Sequence, residues 1–103
     1  SAGLWLDERE EFEGAFDDRA DYERNDVLAA VRADPDAFGD TSVWNDYGEE
    51  DWFVPGNAAF VAALREGDAN LTAHVWPGGH DEAYWNAHWP LYIRFYADAL
   101  AEC

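Results

Sequence analysis

The chain has 103 residues, with 23 aspartates and glutamates set against six arginines and no lysine, for a formal net charge of −17. A length of this order allows one small domain, taken as residues 1–103, and the 49% hydrophobic content, with six Trp, six Phe and five Tyr, is ample for a core and excludes a disordered acidic tail. The charge argues against nucleic acid and anionic membrane as partners, no run has the length and apolarity of a membrane span or a signal peptide, and the single cysteine, Cys103, excludes an internal disulfide.

The chain opens Ser1-Ala2-Gly3 without methionine, which raises the expectation of a processed or truncated piece of a longer protein. Residues 3–20 hold Leu4, Trp5, Leu6, Phe12 and Phe16 among seven acids, with Gly14 as a breaker. This pattern predicts an irregular segment with at most one helical turn, in which Trp5 and Phe16 are core anchors. Over residues 21–33, Val27, Leu28 and Val31 fall at helical spacing between alanines. Asp21, Asn25 and Asp26 are N-cap candidates, and Pro35 ends the helix because the residue before proline avoids the α region.

Residues 41–46, Thr-Ser-Val-Trp-Asn-Asp, are β-branched and aromatic enough for a short strand, and Tyr47 to Asp51 form an acidic loop leaving it. Pro55 fits the first position of a second helix with Phe60, Val61 and Leu64 on its apolar face, and Gly67 fits just past its end. Residues 71–76 alternate as a second strand. Pro77-Gly78-Gly79-His80 then turns the chain, a glycine pair giving access to positive φ. In the last stretch Trp85, His88, Trp89, Tyr92, Phe95, Tyr96 and Leu100 recur three or four apart, giving a broad aromatic face expected to be core. Asp81 is a plausible N-cap. Pro90 predicts either a kink or two helices, at 81–89 and 90–101.

Strand, acidic loop, helix, strand, Gly-Gly-His loop and helix in this order predict an α/β fold with two parallel strands and three to four helices. Two strands make an incomplete sheet, so the chain is expected either to self-associate or to be the end of a larger domain. Parallel pairing brings the loops carrying Asp51 and His80 to one edge, beyond the carboxyl ends of the strands. There Asp51 is placed to orient the His80 ring and leave its other nitrogen as a general base. Taken locally, His80 reads equally as a solvent-exposed loop residue.

Residues 44–53, Trp-Asn-Asp-Tyr-Gly-Glu-Glu-Asp-Trp-Phe, resemble the acid strand and loop of the α/β-hydrolase esterase family that includes S-formylglutathione hydrolases, feruloyl-esterase-like enzymes and mycolyltransferases. Gly78-Gly79-His80-Asp81-Glu82-Ala83-Tyr84-Trp85 resembles the family's histidine loop, and residues 92–97 resemble its C-terminal helix. Ser1 to Trp5 are similar to the segment after the strand that follows the nucleophile helix. Ala15-Phe16-Asp17 and Asn25-Asp26-Val27 are similar to the excursion before the acid strand. The resemblance implies the C-terminal portion of an α/β-hydrolase fold, with His80 as catalytic base and Asp51 as triad acid, Glu50 being the acid if the loop is registered one residue off. Trp52 stands where the family commonly has proline.

The family's Gly-x-Ser-x-Gly elbow does not occur in these residues. Ser1 as the end of a truncated elbow is an alternative that the acidic, broken sequence after it disfavours, and Ser42, in a strand, reads as structural. The expected function is thus the acid-and-base part of a serine esterase or acyltransferase, acting on a small ester or thioester through an acyl-serine. Alone, the chain is expected to be inactive, and its partner is a second copy or the missing N-terminal half. The alternative is a small non-enzymatic binding or self-assembling α/β domain. His74, His80, Asp81, Glu82 and His88 are close in sequence but lack metal-ligand spacing, so no metal and no cofactor is expected. His74 reads as a satisfied strand residue and His88 as packed on the aromatic face.

Overall fold

A computed structural model describes residues 2–6 and 15–102. The central unit is a pair of parallel strands, β1 (Ser42–Gly48) and β2 (Asn70–Trp76), in register from Ser42 opposite Asn70 to Gly48 opposite Trp76. Together with four helices among the described residues they make a small open α/β fold. Both strands begin and end within two residues of the positions that β-branched and aromatic content predicts. Ser42 is structural, its hydroxyl accepting from Asn70 Nδ2 at 3.0 Å across the start of the pair.

One predicted helix becomes two, α1 (Arg19–Asn25) and α2 (Val27–Ala33). The break is at Asp26, whose ψ of 87° leaves the helical region while its carboxylate accepts from Ala29 N at 3.0 Å. Asp26 thus caps α2, as expected. Asp18, not Asp21 or Asn25, caps α1, accepting from Asp21 N at 2.8 Å. An aspartate satisfies the orphan amides of a helix start better than it continues a helix, which is why a uniform apolar spacing is interrupted here.

The α3 helix (Val54–Arg65) carries Pro55 in its first turn and links β1 to β2. Alternation along β1 turns Val43 toward α3 and Trp44 toward the far face, where the long helix α4 (Glu82–Ala101) runs. The hydrophobic core lies on the α3 side. Leu28 and Val31 of α2 pack there with Phe60, Ala63 and Leu64 of α3, against Val43, Leu71, Phe38, Leu4 and Leu6. Trp5 and Phe16 lie outside this core and are half-buried. Trp5 meets Phe16 edge-on at 5.8 Å and Phe53 at 5.5 Å, and Phe16 meets Tyr22 at 5.2 Å, a satellite cluster that ties the first residues to α1 and α3. Ser1, Phe12, Gly14 and Cys103 lie outside the described residues.

Of the two outcomes expected at Pro90, a kink or a division, the division does not occur: α4 is one continuous helix through the proline. Proline removes a single amide donor, and Tyr84 before it and Tyr92 after it are both anchored on the same β1 carboxylate, which holds the two halves together. The aromatic face, expected to be core, is not. None of its seven residues is buried: Trp85, His88, Tyr92 and Phe95 are half-buried, and Trp89, Tyr96 and Leu100 are exposed. The helix lies along β1, with Tyr84 and Tyr92 on Asp46 and Phe95 against Trp44, and a strand pair roughly 10 Å wide covers about one side of a helix, so the residues turned away from β1 stay exposed.

Candidate functional site

Beyond Gly48 and Trp76 the two strands are laced together by loop backbone. Glu49 N donates to Trp76 O at 2.8 Å and Glu50 N to Gly78 O at 3.0 Å. Gly78 has φ of +124°, and a Cβ on Gly48 would overlap the Gly78 carbonyl, so the acidic loop and the histidine loop require glycine at both positions. Of the glycine pair expected to take positive φ, Gly78 does so and Gly79 does not.

This lacing puts Asp51 beside His80. Asp51 Oδ2 lies 3.0 Å from His80 Nδ1, and the Asp51 side chain is fully buried while that of His80 is 30% exposed. An ionised carboxylate only accepts, so Nδ1 carries the proton and Nε2 holds the lone pair of the neutral ring. Asp51 Oδ1 accepts from Phe53 N at 2.7 Å, so the same carboxylate is anchored to the start of α3. The imidazole stands edge-on between Phe53 and Trp85, each with its ring centre 5.1 Å away. Asp81 then caps α4 by accepting from Tyr84 N at 2.9 Å, so the helix begins directly behind the histidine. Glu50 is exposed and engages Gly78 through its backbone, so the acid beside the ring is Asp51.

A cleft of about 400 Å³ opens beside His80, lined by Gly3, Trp5, Ala15, Trp52 and Phe53. Its walls are apolar, and Trp52 stands on its rim 76% exposed. The N-terminal segment is held over α3 by Asn57, fully buried, whose Nδ2 donates to Ala2 O at 2.8 Å. A buried carboxylate, an oriented imidazole and an adjoining apolar cleft can abstract and return a proton at a bound organic molecule.

The other histidines are elsewhere. His88 stacks on Trp76 at 4.1 Å with Nδ1 2.7 Å from Tyr84 O, packed as expected. His74 is an exposed ring stacked on Trp76 at 4.6 Å. Among the described residues no three His, Cys, Asp or Glu side chains converge as a metal site, and no helix is long and apolar enough to cross a membrane.

Sequence reasoning assigned Asp46 no role beyond its place in a strand. It is 3% exposed, and its carboxylate accepts from Trp44 Nε1, from Tyr84 Oη in a short bond and from Tyr92 Oη at 3.0 Å. The signal was the residue itself, since an aspartate inside an apolar strand is rarely buried without a specific set of donors. Burial first, and then the hydrogen bond to Asp46, push the Tyr84 phenol well above its ordinary pKa. For Tyr92, burial and then the charge of Asp46 do the same. Both therefore act as neutral donors to the carboxylate.

No protein-family model, no curated protein and no solved structure matches this chain.

Proposed function

We propose that the chain is the acid-and-base part of a serine esterase or acyltransferase of the α/β-hydrolase fold. The observation that carries this reading is the buried Asp51 carboxylate on Nδ1 of His80, in two loops at the carboxyl ends of parallel strands. In this reading His80 Nε2 takes the proton of a serine hydroxyl as it attacks an ester or thioester carbonyl. It then returns that proton to the departing alcohol or thiol, and water repeats the sequence on the acyl-serine. Asp51 fixes the ring tautomer and stabilises the imidazolium at each transfer. The serine elbow and the oxyanion-binding loop would come from residues outside this chain, and the 103-residue chain alone would be inert.

The test is to express the reading frame containing this chain with its upstream sequence and assay short p-nitrophenyl esters. Hydrolysis by the longer protein, none by the chain alone, and a loss of about 10⁴-fold or more on His80→Ala is the expected result. Undiminished hydrolysis by His80→Ala would overturn it.

A second reading, a small binding or self-assembling domain, is favoured by a different observation. Trp52, Trp89, Tyr96 and Leu100 are 76%, 60%, 62% and 72% exposed beside a sheet that has two strands among the described residues. Light scattering over a range of concentrations tests it: a defined dimer supports assembly, and a monomer throughout counts against it.

A further inference from the structure

On the α4 face of the sheet a cleft of about 240 Å³ is lined by Trp44, Asp46, Trp89, Tyr92, Phe95 and Tyr96. It shares no residue with the cleft beside His80, and its chemistry is independent of the esterase reading. Five of its six lining side chains are aromatic, and they do not form one flat wall. Trp44 meets Tyr92 at 79° and Phe95 at 59°, and Phe95 meets Tyr96 at 70°, so the ring planes are steeply inclined to one another.

The sixth lining residue is the buried Asp46. Its oxygens accept from Trp44 Nε1, Tyr84 Oη and Tyr92 Oη, which uses three of the roughly four lone-pair directions of a carboxylate. These three donors are neutral and bring no positive charge of their own. A ligand suited to this cleft is positively charged, because carboxylate and ring faces both present negative potential. It also makes little demand for hydrogen-bond acceptors, because most of the carboxylate's capacity is taken. A quaternary ammonium group meets both conditions: it donates no N–H bond and spreads its charge over methyl groups that pack on aromatic faces. A primary ammonium would compete for the oxygens that the tyrosines and Trp44 occupy. The net charge of −17 adds a field that concentrates cations near the surface.

We propose that this cleft binds a small organic cation carrying a quaternary ammonium group. The test titrates the 103-residue chain with choline, following tryptophan fluorescence and confirming by calorimetry, in enough salt to screen the diffuse attraction of the acidic surface. Ethanolamine serves as the primary-amine comparison and 3,3-dimethyl-1-butanol as the uncharged one of the same shape. The expected result is saturable choline binding, with both comparison compounds weaker by about tenfold or more. Trp89→Ala, which truncates a side chain already 60% exposed and so leaves the fold intact, should weaken choline by about tenfold. Asp46→Asn should weaken it similarly, and Leu91→Ala, outside the cleft, should leave it unchanged. Equal binding of the uncharged compound or of ethanolamine, no saturable choline binding, or full affinity in Trp89→Ala would each overturn the proposal.

Discussion

Gly48 and Gly78 are in backbone contact: the end of β1 lies against the Gly78 carbonyl with no room for a Cβ between them. This contact, with the Glu50 N–H on the same carbonyl, sets the distance between the acidic loop and the histidine loop. Asp51 and His80, on either side of it, inherit their spacing from backbone and not from their own side chains.

Gly48→Ala should therefore force the two loops apart. The expected cost is about 1–3 kcal/mol, the range for overpacking a tight site. Urea denaturation measures it, and near-ultraviolet circular dichroism should report a changed setting of Trp85 and Phe53 around His80. An unchanged midpoint would show that the loops tolerate separation.

Asp51 holds both the His80 ring and the first turn of α3, so its two functions can be separated by substitution. Asp51→Asn keeps an acceptor for Phe53 N but loses the charge. Asp51→Ala loses both bonds, and its expected cost is about 2–4 kcal/mol, with the asparagine variant clearly less destabilised. In an assembled esterase Asp51→Asn should lower kcat by about 10⁴-fold with little change in KM.

Tyr84 and Tyr92 should ionise later than ordinary phenols in an alkaline ultraviolet titration. Each has its folded pKa raised above the unfolded value of about 10. The stability they contribute is thus complete below that pH and is lost as pH rises toward the folded values. Tyr92→Phe should flatten the alkaline fall in the unfolding free energy; an unchanged slope would contradict the coupling to Asp46.

Asp81→Ala removes the side-chain cap of α4. About 1 kcal/mol of stability should be lost, read by thermal denaturation, with a small decrease in helical circular dichroism from fraying of the first turn. Because that turn stands directly behind His80, the His80 ring resonances should shift by NMR while those of His74 stay in place.

The strands, their parallel direction and the loops bearing Asp51 and His80 were legible because alternation, turn residues and element order act locally. The division at Asp26 was not, because an aspartate within an apolar helical spacing is weighed against its neighbours, and the capping geometry of Ala29 decided it. The periodicity of α4 identified which residues share a face. It carried no information on what covers that face, so Trp89 and Tyr96 were expected in a core and are instead exposed. Asp46 was passed over because its donors, Tyr84 and Tyr92, come from a helix nearly forty residues or more further along the chain.

Every rung of the strand pair joins residues 28 apart in sequence, from Ser42 with Asn70 to Gly48 with Trp76. No rung has a shorter loop to close than another, so there is no inexpensive first contact from which pairing can spread gradually. A slip by one residue would exchange the two faces of a strand, turning Asp46 toward the apolar core and Val43 toward α4. Pairing is for these reasons expected to form as a single event, with the Asp51–His80 bond appearing only once it is complete, which makes the His80 ring proton a natural clock for the final step of folding.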